Sequence, residues 1–64
     1  MKNINLVERR KNLGLTQVQV AEQVGVTEVC YQLYESGKRV PRVDVAIRIA
    51  RALGTTVEAL FLGK

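Results

Sequence analysis

Two helix start signals lie close together in the middle of this chain. Thr16 is a favourable N-cap residue, and Gln19, three positions later, completes a capping box of the T-x-x-Q type. Gly25 follows the apolar positions of that helix, where a C-terminal residue must tolerate a positive φ. Thr27 then offers a second N-cap, and the second helix is expected to end near Gly37. Two helices of about two turns each, separated by so few residues, must cross at a steep angle.

This arrangement, over about residues 17–36, is the geometry of a helix-turn-helix motif, whose second helix can lie in a groove of DNA. The chain has 64 residues, which allows one domain, and we interpret residues 1–64 as that single domain. A chain of this size buries only about 60% of its unfolded surface. An efficient helical core, helped by dimerisation, is therefore expected.

Further helices are predicted on both sides of this pair. The first would be capped by Asn5, with Glu8 near its positive end. The fourth is predicted over about residues 42–53, with Pro41 in its first turn, and a last short helix would follow Thr56. The buried face of the first helix would hold Leu6, Val7 and Leu13, with the charge of Arg10 among them, and that of the fourth would hold Val43, Ala46, Ile49, Ala50 and Leu53. The predicted fold class is all-α, with five helices and no strand.

The residue types that are missing exclude several classes of function. The chain has no histidine and a single cysteine, Cys30. A zinc site, an intramolecular disulfide and a Cys–His or Ser–His nucleophile are therefore not expected. We predict that the protein is not an enzyme and that it holds no metal or other cofactor.

The chain also lacks the patterns of membrane and exported proteins. No apolar run approaches the ~20 residues of a membrane span, and the N-terminus has no signal-peptide pattern. A cytoplasmic protein without a membrane partner is expected, and the length leaves no room for a small-molecule effector domain.

The positive charge is concentrated just past the second helix of the pair. The net charge of +4 alone indicates an anionic partner only weakly. Lys38, Arg39 and Arg42 follow Gly37, which lets the backbone approach a partner closely. Such a run is often a solvated face, but beside a helix-turn-helix it favours contact with phosphates and a salt-sensitive affinity.

Several short motifs recur in a specific order along the chain. They are GLTQ at 14–17, Val20-Ala21, GVT at 25–27, YESGKR-x-P at 34–41, A-x-x-I-A-x-A-L-G at 46–54 and Leu60-Phe61. Together they resemble the Cro/repressor (Xre-type) helix-turn-helix family of phage and bacterial transcriptional regulators, from about Leu6 to Phe61. The resemblance implies a compact five-helix, lambda-repressor-like fold that binds operator DNA as a homodimer.

The resemblance also implies a set of residues that face the bases. The helix from Thr27 to Ser36 would be the recognition helix, and its base-facing residues would be Glu28, Val29, Gln32 and Leu33. Val and Leu can contact only thymine methyl groups, whereas Glu can accept from cytosine N4. The alternative for Val29 and Leu33 is a place in the core, because the helix carries more apolar residues than one buried face can hold.

Other positions would contact the DNA backbone or support the motif. Thr27 and Gln17 would contact phosphates, although Gln17 is alternatively a solvated polar residue or a brace for the recognition helix. Lys38 and Arg39 would also contact phosphates, and Arg42 matches a position that reaches toward the minor groove in some relatives. The resemblance further pairs Arg10 with Glu35 in a partly buried ion pair.

The remaining apolar positions are expected in the core or in a subunit interface. Tyr31, Tyr34 and Cys30 are predicted core residues. The predicted dimer interface comprises Val57, Leu60, Phe61 and Leu62, with Val45 and Ile47 as further candidates.

The predicted function is therefore sequence-specific binding of double-stranded DNA by a homodimeric regulator, a repressor at a palindromic or pseudopalindromic operator. The alternative is a helix-turn-helix protein-interaction module, an antitoxin or adaptor, with weak DNA binding or none. The apolar Val29 and Leu33 are the residues that support this alternative.

Overall fold

The computed structural model describes residues 2–62. Its α-helices are α1 (Ile4–Asn12), α2 (Gln17–Val24), α3 (Glu28–Ser36) and α4 (Val43–Ala52), and a short π-helix, Glu58–Leu62, follows them. The described residues include no strand. The predicted all-α, five-helix fold is confirmed, whereas the outermost residues of the predicted domain, 1, 63 and 64, lie outside the described range.

The caps at the centre of the chain fix the bounds of α2 and α3. The Thr16 hydroxyl accepts from the Gln19 N–H at 3.1 Å, and the Gln19 side-chain oxygen accepts from the Thr16 N–H at 2.8 Å. Gly25 ends α2 in the left-handed region at φ 89°, which only glycine adopts at little cost. Thr27 caps α3 by accepting from the Cys30 N–H at 3.1 Å. Local sequence signals thus set the short turn that holds the two helices at a steep angle.

The core is formed where α2, α3 and α4 meet, and α1 closes it against α3 and the π-helix. Tyr31 lies fully buried at the centre, on the inner face of α3. The other buried members are Leu6, Val20, Ala21, Val24, Tyr34, Val45, Ile49, Ala50, Leu53 and Leu60. Because this core holds one face of α3, the opposite face of that helix is left at the surface.

The start of α1 differs from the prediction. Asn3 caps the helix by accepting from the Leu6 N–H at 3.0 Å, so the prediction of Asn5 as the cap is wrong, and Glu8 lies beyond the first turn. A tertiary contact explains the earlier start, since the Asn3 N–H donates to the Glu35 carbonyl at 2.9 Å. The first turn of α1 is thereby tied to the end of α3.

The apolar face of α4 agrees with the prediction at Ala46, Ile49, Ala50 and Leu53 but not at its first residue. Val43 is the first residue of the helix and 76% exposed, so its predicted place in the core is wrong. Pro41 lies before the N-cap residue Arg42 and not in the first turn. Val45, a candidate for the dimer interface, is instead buried in the core. On α1, Leu13 is exposed because it follows the last helical residue and turns away from the core.

A side chain of α1 caps the C-terminal end of α4. The Arg9 guanidinium donates from Nε to the Leu53 carbonyl at 2.7 Å and from Nη2 to the Gly54 carbonyl at 3.0 Å. Carbonyls at a helix end lack partners within the helix, and a cation also suits the negative end of its dipole. Nothing in the local sequence pattern indicates this contact, because its partners are distant in the chain.

Candidate nucleic-acid interface

The outer face of α3 is exposed at three of the four positions that the family resemblance assigns to the bases. Val29 is 67% exposed, and Glu28 and Gln32 are also exposed. Leu33 is half-buried, so it belongs only partly to this surface. Val29 therefore lies outside the core, which removes one of the two alternatives considered for it.

The polar side chains on this face are held in a chain of hydrogen bonds. The Gln32 amide donates to the Glu28 carboxylate at 3.2 Å and to the Gln17 side-chain oxygen at 3.4 Å. Gln17 in turn donates from Nε2 to the Glu35 carboxylate at 3.0 Å. Gln17 thus braces α3 from the start of α2, and the long contacts of Gln32 are weak enough to be exchanged for a base edge.

Thr27 keeps a donor after it has capped α3. Its hydroxyl oxygen accepts from the Cys30 N–H, which leaves the hydroxyl proton available for an acceptor outside the chain. The residue is exposed at the positive end of α3, where a phosphate oxygen is favoured.

A basic segment follows α3 directly. Gly37 takes a left-handed conformation at φ 80°, and the N–H groups of Lys38 and Arg39 both donate back to the Leu33 carbonyl. The side chains of Lys38, Arg39 and Arg42 are exposed. Among residues 2–62 none of the three forms an ion pair with a carboxylate. Their charges therefore remain available to an anionic partner.

Arg10 and Glu35 form a bidentate ion pair between α1 and α3. Arg10 Nε lies 2.6 Å and Nη2 lies 3.2 Å from the Glu35 carboxylate oxygens. Arg10 also donates to the Leu15 carbonyl at 2.9 Å, which ties the loop before α2 to the same pair. Glu35 is only 4% exposed, so this ion pair supports the interface from within and does not belong to its surface.

Glu35 lies in a polar cluster that keeps it ionised. Burial alone would raise the pKa of Glu35, but the hydrogen bonds from Arg10 and Gln17, with the nearby Tyr31 hydroxyl, lower it below its ordinary value. The Tyr31 hydroxyl is buried and makes no hydrogen bond of good geometry within the described residues. Burial, followed by the adjoining Glu35 carboxylate, raises the pKa of Tyr31, so its hydroxyl stays neutral beside the ionised Glu35.

Comparison with known proteins assigns this arrangement to a family. The helix-turn-helix family model matches residues 6–60. The chain belongs to the Cro/repressor (Xre-type) helix-turn-helix family of transcriptional regulators. An uncharacterised HTH-type transcriptional regulator of Methanothermobacter thermautotrophicus is 48% identical over 56 residues, which cover 86% of this chain and 81% of the relative.

Two further relatives are longer than this helix-turn-helix regulator. The cryptic phage CTXphi transcriptional repressor RstR of Vibrio cholerae is 34% identical over 86% of this chain and 49% of its own length. The uncharacterised HTH-type transcriptional regulator YqaE of Bacillus subtilis is 35% identical over 94% of this chain and 52% of its own length. This chain therefore spans about half the length of these two relatives.

The C-terminal apolar residues of the regulator divide between core and surface. Leu60 is 3% exposed within the single chain, so its predicted place in a dimer interface is corrected: it fills the core. Val57 and Phe61 are half-buried, and Leu62 is 72% exposed.

Among the described residues no helix is long and apolar enough to cross a membrane.

The lowered pKa of Glu35 predicts that the regulator loses stability in acid. A carboxylate whose pKa is depressed on folding contributes stability above its unfolded pKa, about 4.3, and loses that contribution as the pH falls through the folded value. Urea unfolding is measured between pH 7 and pH 3. Below about pH 4.3 the free energy of unfolding is expected to fall by up to about 1.4 kcal/mol per pH unit. Glu35→Gln is expected to flatten the slope, and the exposed Glu22→Gln to leave it unchanged. Equal slopes in wild type and Glu35→Gln would contradict the assignment.

Proposed function

We propose that this regulator is a repressor that binds a palindromic or pseudopalindromic operator as a homodimer, with the Thr27–Ser36 helix in the major groove. The observation that carries the proposal is the exposed outer face of α3, flanked by cations that form no ion pair with any carboxylate of residues 2–62. A helix docked in the major groove needs this combination of a free reading face and flanking phosphate contacts.

The affinity would come from contacts with the DNA backbone. Lys38, Arg39 and Arg42 would neutralise phosphates beyond the end of α3, and Thr27 would donate its hydroxyl proton to a phosphate at the start of the helix. The N-terminus of α2 at Gln17 offers N–H groups to a further phosphate. These contacts are independent of sequence and release counterions, so the affinity should fall steeply with salt.

The sequence preference would come from the exposed side chains of α3. Val29 can contact a thymine methyl group, and Glu28 can accept from cytosine N4. Gln32 can pair with adenine when its amide leaves Glu28 and Gln17. Half-buried Leu33 would exclude bases that need a polar partner, so part of the preference would rest on DNA shape.

The dimer would be formed by the C-terminal end of the chain. Val57, Phe61 and Leu62 lie outside the fully buried core. Phe61 also lines a cavity of about 430 Å³, together with Ile4 and Val40 among others. On a two-half-site operator the α3 helices of such a dimer would have to lie about 34 Å apart, one helical turn of DNA. A dimer bound over an operator would block transcription, which is the role that the name of the Vibrio relative gives to that protein.

Substitutions at a base-facing residue and at a phosphate-contacting residue distinguish sequence preference from overall affinity. The preferred site is first selected from random duplexes, and binding to it and to single-base variants is then measured at several salt concentrations. Val29→Ala is expected to relax preference at one base pair by about 1 kcal/mol, since about 0.8 kcal/mol is lost per buried methyl group. Arg39→Ala is expected to weaken binding to all sequences alike and to reduce the salt slope by about 1.

The exposed Arg51→Ala serves as the charge-matched control for Arg39→Ala and should leave the slope unchanged. A uniform loss on all sequences from both Val29→Ala and Arg39→Ala would refute the assignment of Val29 to the bases.

A protein-interaction module is the second candidate function. The observation that favours it is the exposure of apolar side chains on and beside the reading face, Val29 and Val40 among them. A regulator should bind DNA with a clear negative salt slope, whereas no binding at about 50 mM salt would favour the interaction module.

A further inference from the structure

A cavity of about 490 Å³ lies where the α2–α3 turn meets the start of α4. The basic residues that line it come from two parts of the chain: Arg39 and Arg42 from the segment after α3, and Arg48 from the second turn of α4. The Gly25–Val26 turn closes another side. The sequence pattern gave Arg48 no role, because only the packing of α4 against α2 brings it beside the other two arginines.

The charges around this cavity are not balanced by the residues that line it. The lining includes no Asp or Glu, and Arg39 and Arg42 form no ion pair within residues 2–62. Arg48 pairs with Asp44 on the same helix, but the atoms are 3.5 Å apart and both side chains are more than half exposed. Such exposed pairs are weak and exchange readily. The three guanidinium groups therefore repel one another across a space that would accommodate an anion.

A largely buried tyrosine lies at the wall of the same cavity. Tyr34 lines it and is only 6% exposed. Its hydroxyl pairs with the Cys30 sulfur at 3.2 Å, and the charges of Arg39 and Arg42 lie close enough to affect its pKa. Sulfur is a weak hydrogen-bond partner, so a phosphate oxygen in the cavity would offer this hydroxyl a stronger acceptor.

We propose that this cavity binds a phosphate group and that Arg48 thereby joins the operator interface as a phosphate contact. The three guanidinium groups supply only donors, and the Tyr34 hydroxyl can add one more, which is the chemistry that a phosphate requires. Two sources share this chemistry: a backbone phosphate of DNA, which rests on the proposed function, and a free inorganic phosphate.

The DNA arm of the test compares two arginines of α4. Arg48→Ala and Arg51→Ala remove the same charge from the same helix, but Arg51 does not line the cavity. Arg48→Ala is expected to reduce the slope of log K against log salt by about 0.9, the value for one phosphate contact on B-DNA, and Arg51→Ala to leave it unchanged. Asp44→Asn should bind DNA as tightly as wild type or more tightly. If Asp44→Asn weakened binding as much as Arg48→Ala, the effect would belong to the ion pair and the proposal would be overturned.

The anion arm uses inorganic phosphate alone, against sodium chloride at matched ionic strength. The side-chain Nε–H resonance of Arg48 is expected to shift saturably in wild type, and phosphate should raise the Tm of wild type and Arg51→Ala more than that of Arg48→Ala. A saturable shift with an unchanged DNA slope in Arg48→Ala would assign the site to free phosphate. Saturable phosphate binding without any DNA binding would refute the proposed function but support the anion site. Identical behaviour of Arg48→Ala and Arg51→Ala in both arms would overturn the anion site, whatever the wild type does with DNA.

Discussion

Glu35→Ala is expected to lower the free energy of unfolding by about 3–5 kcal/mol, because it leaves the Arg10 guanidinium in a poorly solvated place without its partner. The Arg10 side chain is 12% exposed. Gln17 also loses its acceptor, and the brace between α2 and α3 is weakened. A domain typically has only about 5–15 kcal/mol in total, so the variant should lose a large part of its stability and melt at a clearly lower temperature. Urea denaturation and thermal melts measure the loss.

A double replacement distinguishes a missing charge partner from a missing packing contact. Arg10→Met with Glu35→Leu removes both charges together and should recover part of the stability, since a buried ion pair can be replaced by apolar residues of similar volume at little cost. Recovery should be incomplete because Arg10 also donates to the Leu15 carbonyl. The exposed Glu22→Ala is the control and should change the unfolding free energy by no more than about 0.5 kcal/mol. An unchanged melt of Glu35→Ala would contradict the proposed role of the pair.

Leu62→Gln is expected to weaken binding to a two-half-site operator by about 100-fold or more, because a second bound subunit raises affinity by roughly 10²–10⁴ through effective concentration. Leu62 is exposed in the single chain, so the substitution should leave the fold intact while it disfavours burial of the side chain between subunits. Sedimentation should show a dimer in wild type and a monomer in the variant. Binding to a single half-site should stay the same.

The control for Leu62→Gln is Leu13→Gln, another exposed leucine that is changed in the same way without altering charge. It should leave both the sedimentation and the operator affinity unchanged. A monomeric wild type, or a Leu62→Gln variant that remains dimeric, would place the subunit contact elsewhere or refute the homodimer.

Features encoded by neighbouring residues could be predicted from the sequence. The capping box of Thr16 and Gln19, the cap of Thr27 and the end of α2 at Gly25 depend on contacts within one turn, and all are present. The helix count follows from the same signals. The family resemblance named Arg10 and Glu35 together, which no local pattern does.

Features that depend on contacts between distant residues could not be predicted. Asn3 and Asn5 are equivalent as caps until the contact between Asn3 and the end of α3 selects the first. On α4 the prediction chose Val43 instead of Val45 for the first buried position, because the alternating Val and Ile residues fit more than one register. Arg48 gained a place in the basic cavity only through the packing of helices that are separate in sequence.

The division of α3 into two faces has a consequence for how this lineage can change. Tyr31 and Glu35 hold the helix in the domain, whereas Val29 makes no contribution to the core. Substitutions at such an exposed position usually alter stability by less than about 0.5 kcal/mol. Under the proposed function, changes at position 29 would therefore alter the preferred operator without a compensating change elsewhere, while drift at position 35 is constrained by the survival of the fold.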